Sequence, residues 1–569
     1  MDKKKTFSEI LKILKPYKGQ LIIAQIVAII ISFVSLLDSF LLSYLIDSVL
    51  VSNTEVTLLT ISIIMFLVGV LCVSLNGIKE LLIQKNSYSM NIDLMLKFYE
   101  KVLNLPLYVL EKHKSGELVA RLNDARKVQN ALSYGLISIL TNLISFFIVG
   151  IALIKLNKTM FFISCIFIFT LGFVSIIFGK YYKRQFPVNL ENYSDLQAFT
   201  SESFAGIETI KTMPASSAFY NEYKKRQYKT MRINRNIDEK CVLQNSLVTI
   251  LSRSSSILVL IFGFYFVMKE KNSLGQIAAF LSLNGFFSSS VNSLINLQAK
   301  IQESLAAFDR LYEILAKENF ENEGKEKPAN IRPEILFEKI NFSYSNEKLI
   351  YEKFELKISR GEWISFIGKT GCGKTTLTKL LLKFYKPQKG RILWNDIDLQ
   401  DIDTEWLFSK IGYIPQDIIL FAGTISENIT LFNDAYKKGQ IEEVAKLVGI
   451  YDKIVSLPNG FDTLVGEKGT SLSGGEKQKI AIARALLKKP LLLIFDEATS
   501  NLDVFSEKQI VEVIKKIHEN GMTIITITHR LSTIRDSDCI IVLEDGKIIE
   551  KGKHEDLLKK NGRYREMIV

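Results

Sequence analysis

The sequence predicts an all-α membrane domain of six transmembrane helices followed by an α/β domain with a largely parallel sheet. One contrast along the 569 residues supports this fold class: apolar residues form long runs before about residue 300 and short, strand-length runs after about residue 330. We therefore expect a membrane domain over residues 1–315, a linker over 316–334 and an α/β domain over 335–569.

Six apolar stretches in the first half are long enough to span the ~30 Å core of a bilayer, which takes about 20 helical residues. They lie near residues 21–48, 56–77, 131–154, 159–180, 243–268 and 274–298. The first and the last of them contain several polar residues.

Lysine and arginine concentrate in the long connecting segments near residues 80–130 and 181–242, whereas the connection VSNTEV after the first span has neither. The positive-inside rule then places both long segments, and both termini, in the cytoplasm. This distribution explains the net charge of +12 without a nucleic acid partner, since no basic patch interleaved with aromatic residues and no zinc-ligand spacing occurs. The N-terminus shows no cleavable signal peptide, and the five cysteines form no CxxC pair.

The polar segment AKENFENEGKEKPANIRPE, residues 316–334, contains two prolines and is typical of a linker. Beyond it, runs such as EWISFIG, LLLIFDE and TIITITH alternate with helical segments. Such alternation predicts an α/β domain with a largely parallel sheet.

A phosphate-binding loop follows the strand EWISFIG directly. GKTGCGKT matches GxxxxGK[ST] between a strand and a helix, the context that supports this motif. Backbone N–H groups and the helix N-terminus would surround the phosphates, Lys374 would reach the β- and γ-phosphates of ATP, and Thr375 would bind Mg²⁺. The alternative, an ordinary glycine-rich turn, is disfavoured because further parts of an ATPase follow in order. The predicted ATP-binding residues here are Gly368, Lys369, Thr370, Gly371, Cys372, Gly373, Lys374, Thr375 and Thr376.

Two further strands end in residues suited to hydrolysis. LLLIFDE ends in Asp496, placed to hold Mg²⁺, and Glu497, placed to orient or deprotonate the attacking water. TIITITH ends in His529, which could reach the γ-phosphate. A lone histidine more often has a structural role, but the position of His529 at the end of a core strand favours a role in the phosphate site. Tyr344, ahead of the loop, could stack on adenine.

These segments together resemble the ATP-binding cassette family over nearly the whole chain, which implies an α/β P-loop ATPase domain. The segment SLSGGEKQ, residues 471–478, is similar to the family's signature motif, and YIPQD is similar to its Q-loop. The segment SNLD, residues 500–503, is similar to the D-loop, and GEKG, residues 466–469, is similar to the X-loop of exporters. Asn501 replaces a more usual alanine, but the acid of the D-loop is kept. The resemblance implies that Gln416 takes part in catalysis and in Mg²⁺ binding. It also implies that nucleotide is bound by Ser473, Gly474, Gly475, Glu476 and Asp503.

In this family two cassettes pack head to tail, and the signature of one closes over the ATP of the other. The chain has one cassette, so the resemblance implies a working unit of two chains. Because every catalytic position is intact, including Lys374, Gln416 and Ser473, a homodimer is favoured; a degenerate partner chain is the alternative.

Six spans preceding a cassette on one chain resemble the exporter architecture. Residues 103–128 and 206–223 resemble the two stalk and coupling segments that connect cassettes to spans. SGELVARLNDA and GIETIK look most like bacteriocin and peptide exporters, many of which carry an N-terminal cysteine-peptidase domain. The first span begins near residue 20, so we expect no such domain in this chain. We therefore expect ATP-driven efflux of a peptide across the bacterial cytoplasmic membrane, with a multidrug or lipid exporter or flippase as the alternative.

Polar residues inside the spans bear on the transport path. Charges at Asp38 and Arg253 are costly in a bilayer and usually face a cavity or a partner. Ser288, Asn292 and Asn296 recur every four residues in the last span, which predicts either a lining for a water-filled path or interhelical hydrogen bonds. A soluble ATPase is excluded by the six spans, and a gated channel is disfavoured because Glu497 and His529 are both present.

Overall fold

The computed structural model describes residues 15–52, 55–130, 135–269, 272–317, 324–329, 331–344, 349–466, 472–498, 502–560 and 562–568. The chain divides into two compact units. One comprises Met1–Leu105 and Val109–Asn319, and the other Pro106–Tyr108 and Phe320–Val569.

The described part of the chain before residue 318 forms nine α-helices after a 3₁₀ turn at Lys15–Tyr17. They are α1 (Lys18–Ser52), α2 (Glu55–Leu103), α3 (Leu107–Leu110), α4 (Ser115–Asn130), α5 (Leu136–Leu156), α6 (Lys158–Ala205), α7 (Ile207–Thr212), α8 (Ser216–Met268) and α9 (Leu274–Leu315). The short helices α3 and α7 lie in the two segments predicted to contain coupling helices.

Within the described residues, five helices are long and apolar enough to cross a membrane, and they overlap five of the predicted spans. Residues 131–134, where the third predicted span begins, lie outside the described residues. The sixth predicted span lies in α9, a continuous helix of 42 residues in which serine, asparagine and glutamine interrupt the apolar residues. Six crossings therefore stay a prediction. Helices α2, α6 and α8 have 49, 48 and 53 residues, more than twice the length that a span needs.

Helix α9 forms hydrogen bonds to its neighbours through polar side chains along its length. Asn284 accepts from Ser164 of α6 at 2.8 Å, and Asn292 accepts from Ser252 of α8 at 3.2 Å. Asn296, in contrast, lines a cavity of about 390 Å³ between α2, α5 and α9. The predicted polar stripe thus contributes both to interhelical bonding and to a cavity wall.

The charged residues predicted within the spans do not pair with each other. Asp38 on α1 is half-buried and Arg253 on α8 is exposed. Among the described residues, no ion pair joins them.

The second unit is built from strands β1 to β12: Ile335–Phe342, Tyr351–Ile358, Trp363–Gly368, Lys389–Trp394, Ile397–Asp398, Ile411–Ile414, Gly423–Thr424, Leu464–Val465, Leu492–Asp496, Thr523–Ile527, Cys539–Glu544 and Lys547–Gly552. Its helices are α10 (Lys374–Leu381), α11 (Thr404–Lys410), α12 (Ile425–Thr430), α13 (Lys438–Leu447), α14 (Tyr451–Val455), α15 (Gly474–Leu487), α16 (Val504–Glu519), α17 (Leu531–Ile534), α18 (His554–Lys559) and α19 (Arg563–Ile568).

The main sheet has the order β12-β11-β3-β10-β9-β6. Its neighbours pair in parallel except β11 and β12, so the sheet is largely parallel, as the sequence predicts. A four-stranded antiparallel sheet, β2-β1-β4-β5, accompanies it, and β7 pairs with β8. Because β3, β10 and β9 are parallel, their carboxyl ends lie at one edge of the sheet.

Two hydrophobic cores cover the opposite faces of the main sheet. On β9, Leu492 and Ile494 belong to the core that contains α10, whereas Leu493 and Phe495 belong to the core that contains α15 and α16. Alternate residues of a strand point to opposite faces. Helices α10 and α15 therefore pack on opposite sides of the sheet.

Candidate functional site

The predicted phosphate loop connects β3 to α10 and has a left-handed turn where the helix begins. Gly373, the N-cap residue, has φ 112°. A Cβ atom there would lie 2.7 Å from the hydroxyl of Tyr351. Both the backbone angle and the space require glycine. The buried Lys374 donates from Nζ to the carbonyl oxygens of Gly368 at 2.6 Å and Lys369 at 3.1 Å, so its ammonium group lies along the inner side of the loop.

Asp496 ends β9 next to the first turn of α10. Its carboxylate accepts hydrogen bonds from the hydroxyls of Thr375 at 3.3 Å, Thr378 at 3.4 Å and Tyr413 at 3.1 Å. Burial raises the pKa of Asp496 above the ordinary aspartate value, although the three hydroxyls oppose that shift; the nearby Glu497 charge adds to it. The structure thus brings the predicted pair Thr375 and Asp496 together.

Two residues of this cluster were missed by the sequence analysis. Thr378 lies three residues after Thr375 on α10, so helical spacing alone could have placed it on the same face. Tyr413 lies on β6, and its position follows only from the parallel pairing of β6 with β9.

Glu497 and His529 follow the ends of adjacent strands. Glu497 has φ 49°, a left-handed conformation uncommon for a residue with a side chain, and its N–H donates to Ile527 of β10 at 2.8 Å. Its carboxylate lies 3.5 Å from Nε2 of His529, which is half exposed. The backbone turn therefore directs the carboxylate of Glu497 towards His529 rather than into the sheet.

Tyr344 stands over the first turns of α10, with its ring partly exposed. Its hydroxyl lies 3.2 Å from that of Thr376, and the ammonium of Lys379 lies 5.6 Å from its ring centre. Tyr385 meets the ring edge-on, with 4.8 Å between ring centres. An aromatic surface is thus held beside the phosphate loop.

Gln416 lies two residues beyond the end of β6 and is exposed. Strand β6 pairs with β9, so Gln416 shares the sheet edge with Asp496. Within the described residues, however, no hydrogen bond joins Gln416 to Thr375, Asp496 or Glu497.

The described part of the signature segment begins α15 with a capping box. The Ser473 N–H donates to Glu476 at 2.8 Å, and the Glu476 N–H donates to the Ser473 hydroxyl at 3.3 Å. Partial burial would raise the pKa of Glu476, but hydrogen bonds from Ser473 and the charge of Lys453 outweigh it and lower that pKa. The spacing Ser-x-x-Glu could have predicted this cap.

The start of α16 packs closely against α15. A Cβ atom on Gly475 would lie 2.7 Å from the hydroxyl of Ser506, so glycine permits the close approach, while Gly474 beside it is exposed. Asp503 caps α16 by accepting from the backbone N–H groups of Phe505 and Ser506. Asp503 therefore has a structural role that the sequence analysis did not assign. Residues 467–469, 471, 500 and 501 of the predicted loops lie outside the described residues.

The two glycine-rich segments do not meet within the chain. Helix α10, with the phosphate loop, and α15, with the signature segment, pack on opposite faces of the main sheet. Among the described residues, no contact of Ser473 or Glu476 reaches the loop from Gly368 to Thr376.

Comparisons with known proteins agree with this architecture. Residues 21–291 match the ABC transporter transmembrane region family, and residues 351–500 match the ABC transporter family. A lactococcin-G-processing and transport ATP-binding protein of Lactococcus lactis subsp. lactis is 31% identical over 554 residues, which cover 95% of this chain and 77% of the relative. An exotoxin translocation ATP-binding protein of Pasteurella aerogenes is 33% identical over 557 residues, or 96% of this chain and 77% of the relative.

A solved structure of a bacterial Atm1-family ABC exporter with ATP bound is similar in fold, with a TM-score of 0.87 and 24% identity over 96% of this chain and 97% of that one. The predicted family resemblance, and the fusion of a helical membrane domain to an α/β ATPase domain, are confirmed. The chain belongs to the ATP-binding cassette transporter family, as an integral membrane exporter that couples ATP hydrolysis to transport.

Proposed function

We propose that two copies of this chain form a pump that exports a peptide from the cytoplasm, with both termini and the ATPase domain on the cytoplasmic side. The basic connecting segments near residues 80–130 and 181–242 support this orientation. The similar proteins whose names refer to lactococcin G and to an exotoxin support a peptide or protein cargo.

In this proposal the loop from Gly368 to Thr376 holds the phosphates of ATP, and Tyr344 stacks on the adenine. Mg²⁺ is bound by Thr375 and Asp496, with Gln416 as a further oxygen ligand. The donor set fits this hard cation, because Asp496 is a buried carboxylate whose hydrogen-bond partners among the described residues are hydroxyl groups rather than a lysine or arginine. When bound, Mg²⁺ would neutralise charge on the phosphates.

Glu497 is the proposed general base for the attacking water. Its carboxylate is only partly buried and follows Asp496 at the carboxyl end of β9. His529, 3.5 Å away, would orient the γ-phosphate and the same water. Gln416 would sense whether the nucleotide is present, since no bond in the described residues restrains its side chain.

The placement of α10 and α15 on opposite faces of the sheet is the observation that carries the dimer. A signature segment whose described residues make no contact with its own phosphate loop can still serve the loop of a second chain. We propose that Ser473, Gly474, Gly475 and Glu476 of one chain, together with Asp503, close over the ATP of the other.

A mixed dimer tests this arrangement. One chain carries Ser473→Arg and the other Lys374→Ala, each with its own affinity tag, and only doubly tagged protein is assayed. If the sites form between chains, both defects fall on one site and the other stays intact, so appreciable ATP hydrolysis remains. If each chain completes its own site, both sites are broken and hydrolysis is lost.

Both parent homodimers serve as controls and should be inactive. Activity of the mixed dimer no greater than that of the parents would refute the shared site. A second control, Arg391→Gln, changes an exposed ion pair with Glu338 on the small sheet and should leave hydrolysis unchanged in either tagged chain.

The cargo is tested with the wild-type protein in liposomes. Stimulation of its ATPase is compared for defined cationic peptides of 20–40 residues, for ethidium and for added anionic lipid. Peptide-selective stimulation with uptake of labelled peptide would support the proposal. Stimulation by ethidium or by lipid alone would assign the multidrug or lipid alternative instead.

A further inference from the structure

Glu507 is a buried acidic residue outside the proposed catalytic set. It lies in the first turn of α16, and only 5% of its surface is exposed. Both oxygens of its carboxylate are engaged: the Ser532 hydroxyl donates to one, and Nη1 of Arg530 donates to the other at 2.9 Å. A buried carboxylate requires such partners, so this arrangement is built rather than incidental.

Arg530 joins two loops at once. While Nη1 binds Glu507, Nη2 donates to the carbonyl oxygen of Leu502 at 3.2 Å, and the Arg530 backbone N–H donates to the Thr528 hydroxyl at 3.0 Å. Arg530 directly follows His529, and Leu502 directly precedes Asp503. We call Arg530, Glu507 and the Leu502 carbonyl the arginine clasp.

Within the described residues, few contacts apart from the clasp restrain the position of His529. His529 is half exposed, and its distance of 3.5 Å from Glu497 is long for a hydrogen bond. The backbone before it is fixed in β10, and the backbone after it is fixed by the clasp. A shift of about 1 Å at a reacting group can cost about 10²-fold in rate, so this restraint matters for hydrolysis.

We propose that Arg530 and Glu507 are positioning residues for ATP hydrolysis: the clasp holds the backbone of His529 in register with the segment that precedes α16. A simple stabilising role is a weaker explanation, since buried ion pairs often add no net stability over well-packed apolar residues. A guanidinium is also the group that can bridge two acceptors in a fixed geometry. The inference rests on the proposed role of His529, but not on the cargo or on the dimer.

Arg530→Lys tests the clasp directly. Lysine keeps a positive charge for Glu507 but cannot span both Glu507 and the Leu502 carbonyl with a rigid fork. We expect kcat for ATP to fall about tenfold or more while KM and the thermal unfolding midpoint stay near wild type. Glu507→Gln, which keeps the side-chain shape, should lower kcat similarly.

A combined variant separates the clasp from the proposed role of His529. In a His529→Ala background, Arg530→Lys should lower kcat no further, because the clasp acts through His529. If His529→Ala alone keeps wild-type turnover, the proposed role of His529 fails. If His529→Ala is impaired and Arg530→Lys lowers kcat further by its full factor, the clasp proposal alone is overturned.

Arg391→Lys, in an exposed pair with Glu338, is the matched control and should change neither kcat nor stability. Wild-type kcat in Arg530→Lys would overturn the proposal. A loss of kcat that matches a loss of folded protein would also overturn the proposal, as would variants that do not purify in folded form. In either case the pair of Arg530 and Glu507 would serve stability alone.

Discussion

Replacing Asp496 by asparagine should make the nucleotide-free protein more stable while abolishing its turnover. The carboxylate is buried at the end of β9, and burial raises its pKa because the charged form loses hydration. Its three hydroxyl partners lie at 3.1–3.4 Å. Charge-assisted O–H···O bonds are usually about 2.5–2.7 Å long, so these partners compensate the buried charge only in part.

Asparagine retains the shape and can still accept from Tyr413 or Thr375 through its carbonyl oxygen. Removing a poorly compensated buried charge while retaining such bonds should stabilise the protein by about 1 kcal/mol. In a domain of about 150–250 residues this corresponds to an increase of roughly 2–4 °C in the unfolding midpoint. Turnover should fall about 10²-fold or more, the usual cost of losing one electrostatic stabiliser.

The difference in stability between Asp496→Asn and the wild-type protein should depend on pH in a defined direction. A carboxyl group whose folded-state pKa is raised contributes stability that is fully present below its unfolded-state pKa and is lost as pH rises through the folded-state pKa. The wild-type protein therefore loses this contribution as pH rises above the ordinary aspartate pKa of about 4, whereas Asp496→Asn does not. The gap in unfolding midpoint should widen with rising pH and should close towards pH 4.

Thermal unfolding of the nucleotide-free, detergent-solubilised chain measures this gap. Asp503→Asn is the matched control, because hydrogen bonds from Ser506 and its neighbours lower the pKa of Asp503 instead. Its neutralisation should give no increase in midpoint. An Asp496→Asn protein that unfolds below the wild type at pH 7–8, or whose gap widens in acid, would refute the reasoning.

Other variants test the remaining roles. Glu497→Gln should bind ATP but lose about 10²-fold or more in turnover, the cost of a lost general base; near-wild-type ATPase would remove it from that role. Tyr344→Ala should raise KM for ATP about tenfold through lost stacking, worth about 1–3 kcal/mol per base, whereas Tyr344→Phe should not; equal KM values would exclude stacking. Asp38→Asn and Arg253→Gln should each change cargo-stimulated ATPase without lowering the unfolding midpoint, because no ion pair joins these two described residues. A lower unfolding midpoint in both single variants, partly restored in the double variant, would instead indicate a structural pair.

The sequence was sufficient for features that depend on local order along the chain. The phosphate loop was predictable because its glycines, Lys374 and Thr375 are consecutive residues between a strand and a helix. The capping role of Glu476 was equally accessible, since its spacing from Ser473 is a helix N-terminal pattern. The positions of five long apolar helices also followed from the apolar runs.

Features that depend on how distant strands pair could not be predicted. Tyr413 reaches Asp496 at 3.1 Å only because β6 and β9 are neighbours in the sheet. Arg530 reaches Glu507 and Leu502 only because the end of β10 lies beside the start of α16. In each case the single sequence shows the residue type but not the register that brings the two side chains together.

The same limit applies to the two glycine-rich segments. Each is suited to phosphate by its local chemistry, and their separation along the chain says nothing about their distance in space. The alternation of Leu492 and Leu493 between two cores adds this spatial information, because it assigns α10 and α15 to opposite faces of one sheet. Because the described residues of the signature segment make no contact with the loop from Gly368 to Thr376, we propose that this segment serves the phosphate loop of a second chain. In the proposed dimer both glycine-rich segments would bind nucleotide.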